Sequence, residues 1–210
     1  MKFHDLVARL AIALDEEVGD FAESFRVLRL TIPDADDGRI FEWADGVRLK
    51  TLFRTKYGPG GGVETNAATV SFFLTAILID CPRREMAQKA MDIQFALAPL
   101  TPRHKRILCP KTGEHRFGAA LTKCLSDRAL FDDLAEISVC TKFGIGHLVF
   151  KSDLDDWAAT RIAGKGSPLF MSEHSKITLE DVGIQRTTVL KMEKIRFLFD
   201  AINEKAKAMA

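Results

Sequence analysis

A glycine loop, Tyr57-Gly58-Pro59-Gly60-Gly61-Gly62, joins a basic segment to Val63-Glu64-Thr65-Asn66 and then to the most apolar run of the chain. Such a loop beside a helix start can hold an anion, turn a wing beside DNA, or simply reverse the chain. A phosphate cradle of the Walker type needs Lys and Ser or Thr directly after its last glycine. Here Val63 and Glu64 follow, and a carboxylate beside bound phosphate is repulsive. The dinucleotide pattern G-x-G-x-x-G cannot be laid over this stretch either. Nucleotide binding is therefore not expected, and no cofactor is.

The segment before the loop suits a different ligand. Residues 39–57 carry Arg39, Arg48, Lys50, Arg54 and Lys56 against Glu42 and Asp45, a net charge of +3. Basic side chains neutralise phosphates, and glycines let backbone N–H groups come close to a phosphate chain. Arg48, Lys50, Arg54, Lys56, Tyr57, Gly60 and Gly61 are the candidate contacts to double-stranded DNA. The competing reading is a solvated helix face followed by a plain turn. A second basic cluster is formed by Arg103, Lys105, Arg106, Lys111 and Arg116, with His104 and His115 among them and Glu114 as the lone acid. It reads either as an electrostatic footprint for nucleic acid or an acidic protein, or as a solvated linker.

Other chemistry finds little support. Cys109, His115 and Cys124 lie near one another in sequence, but no C-x-x-C or H-x-x-x-H spacing pairs them as a structural zinc site requires. No metal is expected. There is no G-x-S-x-G, and His4, His104, His115, His147 and His174 are scattered. Ser172-Glu173-His174-Ser175 cannot converge as acid, base and nucleophile by adjacency alone. An acidic loop site from Asp153, Asp155, Asp156 and Glu173 is a remainder. The expectation is a protein that is not an enzyme.

These groups need a scaffold, and composition bounds it. A chain of 210 residues with 47% hydrophobic content can bury a sizeable core. Its 30 basic and 29 acidic residues nearly cancel, so global charge makes no case for nucleic acid and the local patches must carry it. The four cysteines, Cys81, Cys109, Cys124 and Cys140, have no paired spacing and suit a reducing compartment, with Cys81 and Cys140 expected as core thiols. The N-terminus lacks a signal-peptide pattern. The run from Ala67 to Ile79 is too short to span a bilayer. A cytoplasmic protein without membrane contact is expected.

Periodicity predicts helices over 3–14, about 16–30, 39–53, 65–79, 82–97 and 117–126. Thr65 or Asn66 can cap the fourth of these. Pro33 to Gly38 reads as a loop. The pattern then alternates over 136–141 and at Leu148 and Phe150, with Gly144 and Gly146 between, which is a hairpin signal. Another strand is expected near 182–188, and an amphipathic helix from about 189. The fold class is α+β: a helical half over 1–98, a basic linker over 99–116, and a small antiparallel sheet with a C-terminal helix over 117–210.

The order of basic segment, Gly58-Pro59-Gly60-Gly61-Gly62-Val63-Glu64-Thr65-Asn66-Ala67-Ala68 and apolar helix resembles a group of alphaproteobacterial prophage-type proteins with a helix-turn-helix-like N-terminus. His115-Arg116-Phe117-Gly118-Ala119-Ala120-Leu121, the alternating 136–150 stretch and the passage from Gln185-Arg186-Thr187-Thr188 into the last helix extend the likeness over most of the chain. The sequence departs from the group in a loop without interleaved arginines and in a longer, more acidic 16–38 region. The resemblance implies a DNA-binding transcriptional regulator of phage or mobile-element type. Such a regulator would dimerise through its C-terminal half, because paired half-sites need a two-fold partner. The alternative is an anti-defence inhibitor or adaptor, similar to anti-CRISPR proteins, that binds a host protein complex.

Overall fold

The computed structural model of the chain describes residues 2–35, 52–53, 62–63, 65–98, 107–155, 170–171 and 187–207. The protein is α+β, with a helical N-terminal half, then a four-stranded antiparallel sheet and a C-terminal helix.

Helix α1 (Phe3–Ala13) buries Phe3, Leu6, Val7, Leu10 and Ala11, the steps of three and four that place one apolar stripe against a core. It ends in a Schellman motif. Asp15 takes a positive φ of 58° and donates its N–H to Ile12, and the Glu16 N–H returns to the Ala11 carbonyl at 2.9 Å. The turn leads into α2 (Val18–Ala35), which runs through Pro33 and past the expected end near residue 30. Pro33 lies in its last turn, so the N–H it lacks interrupts the ladder only where the helix is about to end.

Helix α3 (Ala67–Ile77) is the centre of the molecule, and every residue from Ala67 to Ala76 is buried. Asn66 caps it by accepting the Thr69 N–H at 2.9 Å. A helix without a polar face must place its hydroxyls carefully. Gln94, buried at the end of α4 (Arg83–Gln94), donates to the Ser71 carbonyl at 3.1 Å and to Thr75 Oγ1 at 2.5 Å. These bonds tie the two helices together without leaving a buried amide unmatched. Pro82 sits at the N-cap of α4, one position before its expected place in the first turn.

Helix α5 (Phe117–Ser126) follows, then a short α6 (Arg128–Asp133) that periodicity did not anticipate. Strand β1 (Leu134–Cys140) pairs antiparallel with β2 (Ile145–Phe150), as the alternation predicted. The hairpin turns at Gly144, with φ 58°. A short α7 (Lys151–Asp155) comes next. Strands β3 (Phe170–Met171) and β4 (Thr188–Lys191) complete the order β3-β2-β1-β4.

Of the strand expected near 182–188, residues 182–186 lie outside the described residues, and the strand described beside them is β4. The helix expected from about 189 begins only at α8 (Phe197–Lys207), after a 3-10 turn over Met192–Ile195. Ile137, Val139, Leu148, Phe150 and Leu190 point into the core and the alternate residues point away.

One buried cluster runs from Phe3 to Ala201 and includes residues on both sides of the 99–116 region. Leu97 exchanges both backbone hydrogen bonds with Met171, at 2.9 and 2.8 Å, while Ala98 donates to His115 and Phe117 to Ala96. Residues 96–98 thus bind the end of α4 to the sheet and to the start of α5. Among the described residues no helix is long and apolar enough to cross a membrane.

Candidate functional site

Arg48, Lys50, Arg54, Lys56, Tyr57, Gly60 and Gly61 lie outside the described residues, as do Arg103, Lys105 and Arg106. What is described of the basic segment is its middle. Leu52 and Phe53 are buried at 3% and 1% exposure. The Phe53 ring meets Phe72 edge-on at 5.8 Å and lies 6.1 Å from both Phe3 and Phe25, so α1, α2 and α3 all contribute to its seat. The Thr69 hydroxyl donates to the Leu52 carbonyl at 3.1 Å. Val63, just after the glycine loop, is buried too. The basic segment and the loop are therefore pinned to the helical core at 52–53 and again at 63.

The second basic cluster is split. Lys111 Nζ lies 2.6 Å from Ser152 Oγ, 3.7 Å from Asp133 Oδ2 and 3.6 Å from Asp153 Oδ1. Asp133 also accepts the Ser152 N–H at 3.0 Å and the Ser152 hydroxyl at 2.5 Å, which caps α7 from the end of α6. Burial pushes the Asp133 carboxyl up, but the two bonds from Ser152 and the charges of Lys111 and Lys151 outweigh it and hold it below the usual value.

A serine beside a lysine has the outline of a nucleophile and base. The base in such a pair must be neutral, in apolar surroundings or beside another cation. Lys111 faces two carboxylates instead, and Asp133, with its lowered pKa, is a poor base. The constellation is a latch that holds the 109–114 turn to the α6–β1 and β2–α7 junctions. Lys123 fixes the other side of that turn by donating to the Thr112 carbonyl at 2.6 Å. Asp153, a candidate for an acidic metal site, gives its carboxylate to Lys111, and Asp156 and Glu173 lie outside the described residues.

Arg116 stands at the N-cap of α5, half-buried, with its guanidinium 5.8 Å from the Phe95 ring centre and its Nε without a hydrogen-bond partner. Of the second cluster, then, one described member is ion-paired within the chain and the other is packed on an aromatic ring.

The thiols are mostly withdrawn from solvent. None of the four cysteines forms a disulfide. Cys109, Cys124 and Cys140 are buried, whereas Cys81, expected in the core, is only half-buried because it lies in the exposed turn before α4. Burial first, then the neighbouring Cys109, pushes the Cys124 thiol far above its ordinary range, and burial with Glu85 raises Cys81. Protonated thiols are poor nucleophiles and poor metal ligands. Among the described residues no three His, Cys, Asp or Glu side chains are grouped to hold a metal ion.

One feature was not visible in the sequence. A groove of about 620 Å³ is lined by all four residues of β4 together with Leu14, Phe21, Ile77 and Leu78. Its signal in the sequence was hidden, because the spacing from about residue 189 onward reads as an amphipathic helix.

A scan against protein-family models, a search of curated proteins and a search of solved structures return no match for this chain.

Proposed function

We propose that the protein acts by binding rather than catalysis, as a cytoplasmic DNA-binding regulator of phage or mobile-element type. The observation that carries this reading is the burial of Leu52 and Phe53 in the middle of the basic segment. Four basic residues, Arg48, Lys50, Arg54 and Lys56, flank a dipeptide locked into the helical core. A charged segment anchored in this way gives up less conformational freedom on binding than a free tail does. Lys111 supports the same choice from the other side, since a lysine already paired with two carboxylates has little left to offer a phosphate. A homodimer fits a regulator that reads paired half-sites.

Fluorescence anisotropy with labelled duplex DNA tests the reading. Affinity should fall steeply as salt rises, and changing all four basic residues to Ala should flatten the slope of log K against log salt by up to about 3–4. Equal binding by the parent and the fourfold variant overturns it.

The groove beside β4 favours a second reading, in which the chain is an adaptor or inhibitor that binds a host protein complex. Recovery of a protein complex by a chain that shows no salt-dependent DNA binding would select it.

A further inference from the structure

We propose that the groove beside β4 receives an extended segment of a partner protein, rich in apolar and basic residues, as a fifth strand of the sheet. The proposal does not depend on DNA binding.

The first argument is backbone chemistry. In the order β3-β2-β1-β4, strand β4 spends one edge on β1 and, among the described residues, has no strand on its other edge. An end strand presents N–H and C=O groups in a row, which is the template for strand addition. The groove runs along the whole of β4, from Thr188 to Lys191.

Shape selects what can use that template. The edge is not displayed on a flat surface. It lines a groove shared with Leu14 at the end of α1, Phe21 of α2, and Ile77 and Leu78 at the end of α3. A second copy would bring a recessed edge of its own, and two concave faces do not meet. A single extended segment has the narrow profile that a groove of about 620 Å³ can take.

Side chains specify the occupant further. Val189, which lines the groove, stands 46% exposed on β4. Apolar residues at alternate positions of the entering segment would cover surface of this kind. At the rim, Lys194 is taken by Asp15 at 4.0 Å. Glu16, Glu193 and Lys191 also line the groove and form no ion pair among the described residues. Two unpaired carboxylates against one ammonium leave the rim acidic, so the complementary segment carries Lys or Arg.

The test is a selection of random displayed peptides on the immobilised full-length chain, followed by anisotropy with a fluorescein-labelled synthetic copy of the most enriched peptide. The expected winners alternate apolar residues and contain Lys or Arg. Their affinity should drop at least tenfold on Val189→Asp and on the pair Glu16→Lys and Glu193→Lys, and methylation of alternate backbone nitrogens in the peptide should abolish binding. All three altered residues are on the surface, so circular dichroism should report an unchanged fold.

No enrichment, or enriched peptides indifferent to both sets of variants, overturns the proposal. So does a dimer in sedimentation velocity that the Glu16→Lys and Glu193→Lys pair dissociates, because the groove would then hold a second copy.

Discussion

Lys111 Nζ lies 2.6 Å from Ser152 Oγ, and both groups close on the same Asp133 carboxylate. The Ser152 bonds to Asp133 do not pass through the lysine, so Lys111 adds the third arm of the latch and not its foundation. Lys111 is 29% exposed, and solvent screens much of what its charge contributes. Lys111→Met should therefore lower stability by at most about 1 kcal/mol in urea unfolding. It should also leave affinity for duplex DNA within about twofold, because the charge removed was already paired inside the chain.

Asp133 makes the latch sensitive to acid. Its folded pKa is depressed, so the stabilisation it provides is present above the unfolded carboxyl value near 3.9 and is lost as pH falls through the lower folded value. Asp133→Asn keeps an acceptor for the Ser152 N–H but removes the titration. Urea midpoints measured between about pH 5 and pH 2 should fall less steeply for the variant than for the parent.

The elements that the sequence displayed plainly are those whose burial follows one period. The stripe Phe3, Leu6, Val7, Leu10 is helical whatever it packs against, and Asn66 stands where a cap is needed, three residues before the Thr69 N–H it accepts. The alternation around Ile137, Val139, Leu148 and Phe150 gave the hairpin for the same reason. What stayed hidden depends on partners distant in sequence. Strand β4 exists because Val189 and Leu190 pair with Ser138 and Ile137, and the local spacing of 189–202 points to a helix instead. Strand β3 is two residues long and is fixed by β2 and by Leu97. The latch joins Lys111 to Asp133 and Ser152, and a basic residue in a Pro-rich stretch carries no mark of such neighbours. The residues proposed to contact DNA fall outside the described residues, so their reading rests on charge and on the buried pair between them.

Gly146 illustrates a constraint that is visible only in three dimensions. A Cβ placed there would come within 2.6–2.8 Å of three carbons of the Phe117 ring. That ring is fully buried at the start of α5 and packs on Phe170 of β3 at a centroid distance of 5.8 Å, so it has nowhere to withdraw. Gly146→Ala should destabilise the protein by about 1–3 kcal/mol through overpacking. The clash predicts coupling: in Phe117→Leu, the same change should cost measurably less. A cycle of unfolding free energies for the four proteins checks this, and additivity would place the cost elsewhere.

Phe53 separates anchoring from contact. Its ring is seated by Phe3, Phe25 and Phe72, and its neighbours in sequence are the basic residues that should meet phosphate. Phe53→Leu leaves the seat partly filled and should cost about 1–2 kcal/mol, between a volume-conserving swap and a truncation to Ala. It removes no charge. Affinity for DNA should therefore fall as the segment loses its anchor, while the slope of log K against log salt stays that of the parent. Arg54→Ala should do the reverse, with unchanged stability and a slope reduced by about 0.9. Melting curves and salt titrations of the two variants read these quantities independently. Equal slopes in parent and Arg54→Ala would mean that Arg54 meets no phosphate, whatever the affinity of the anchor variant.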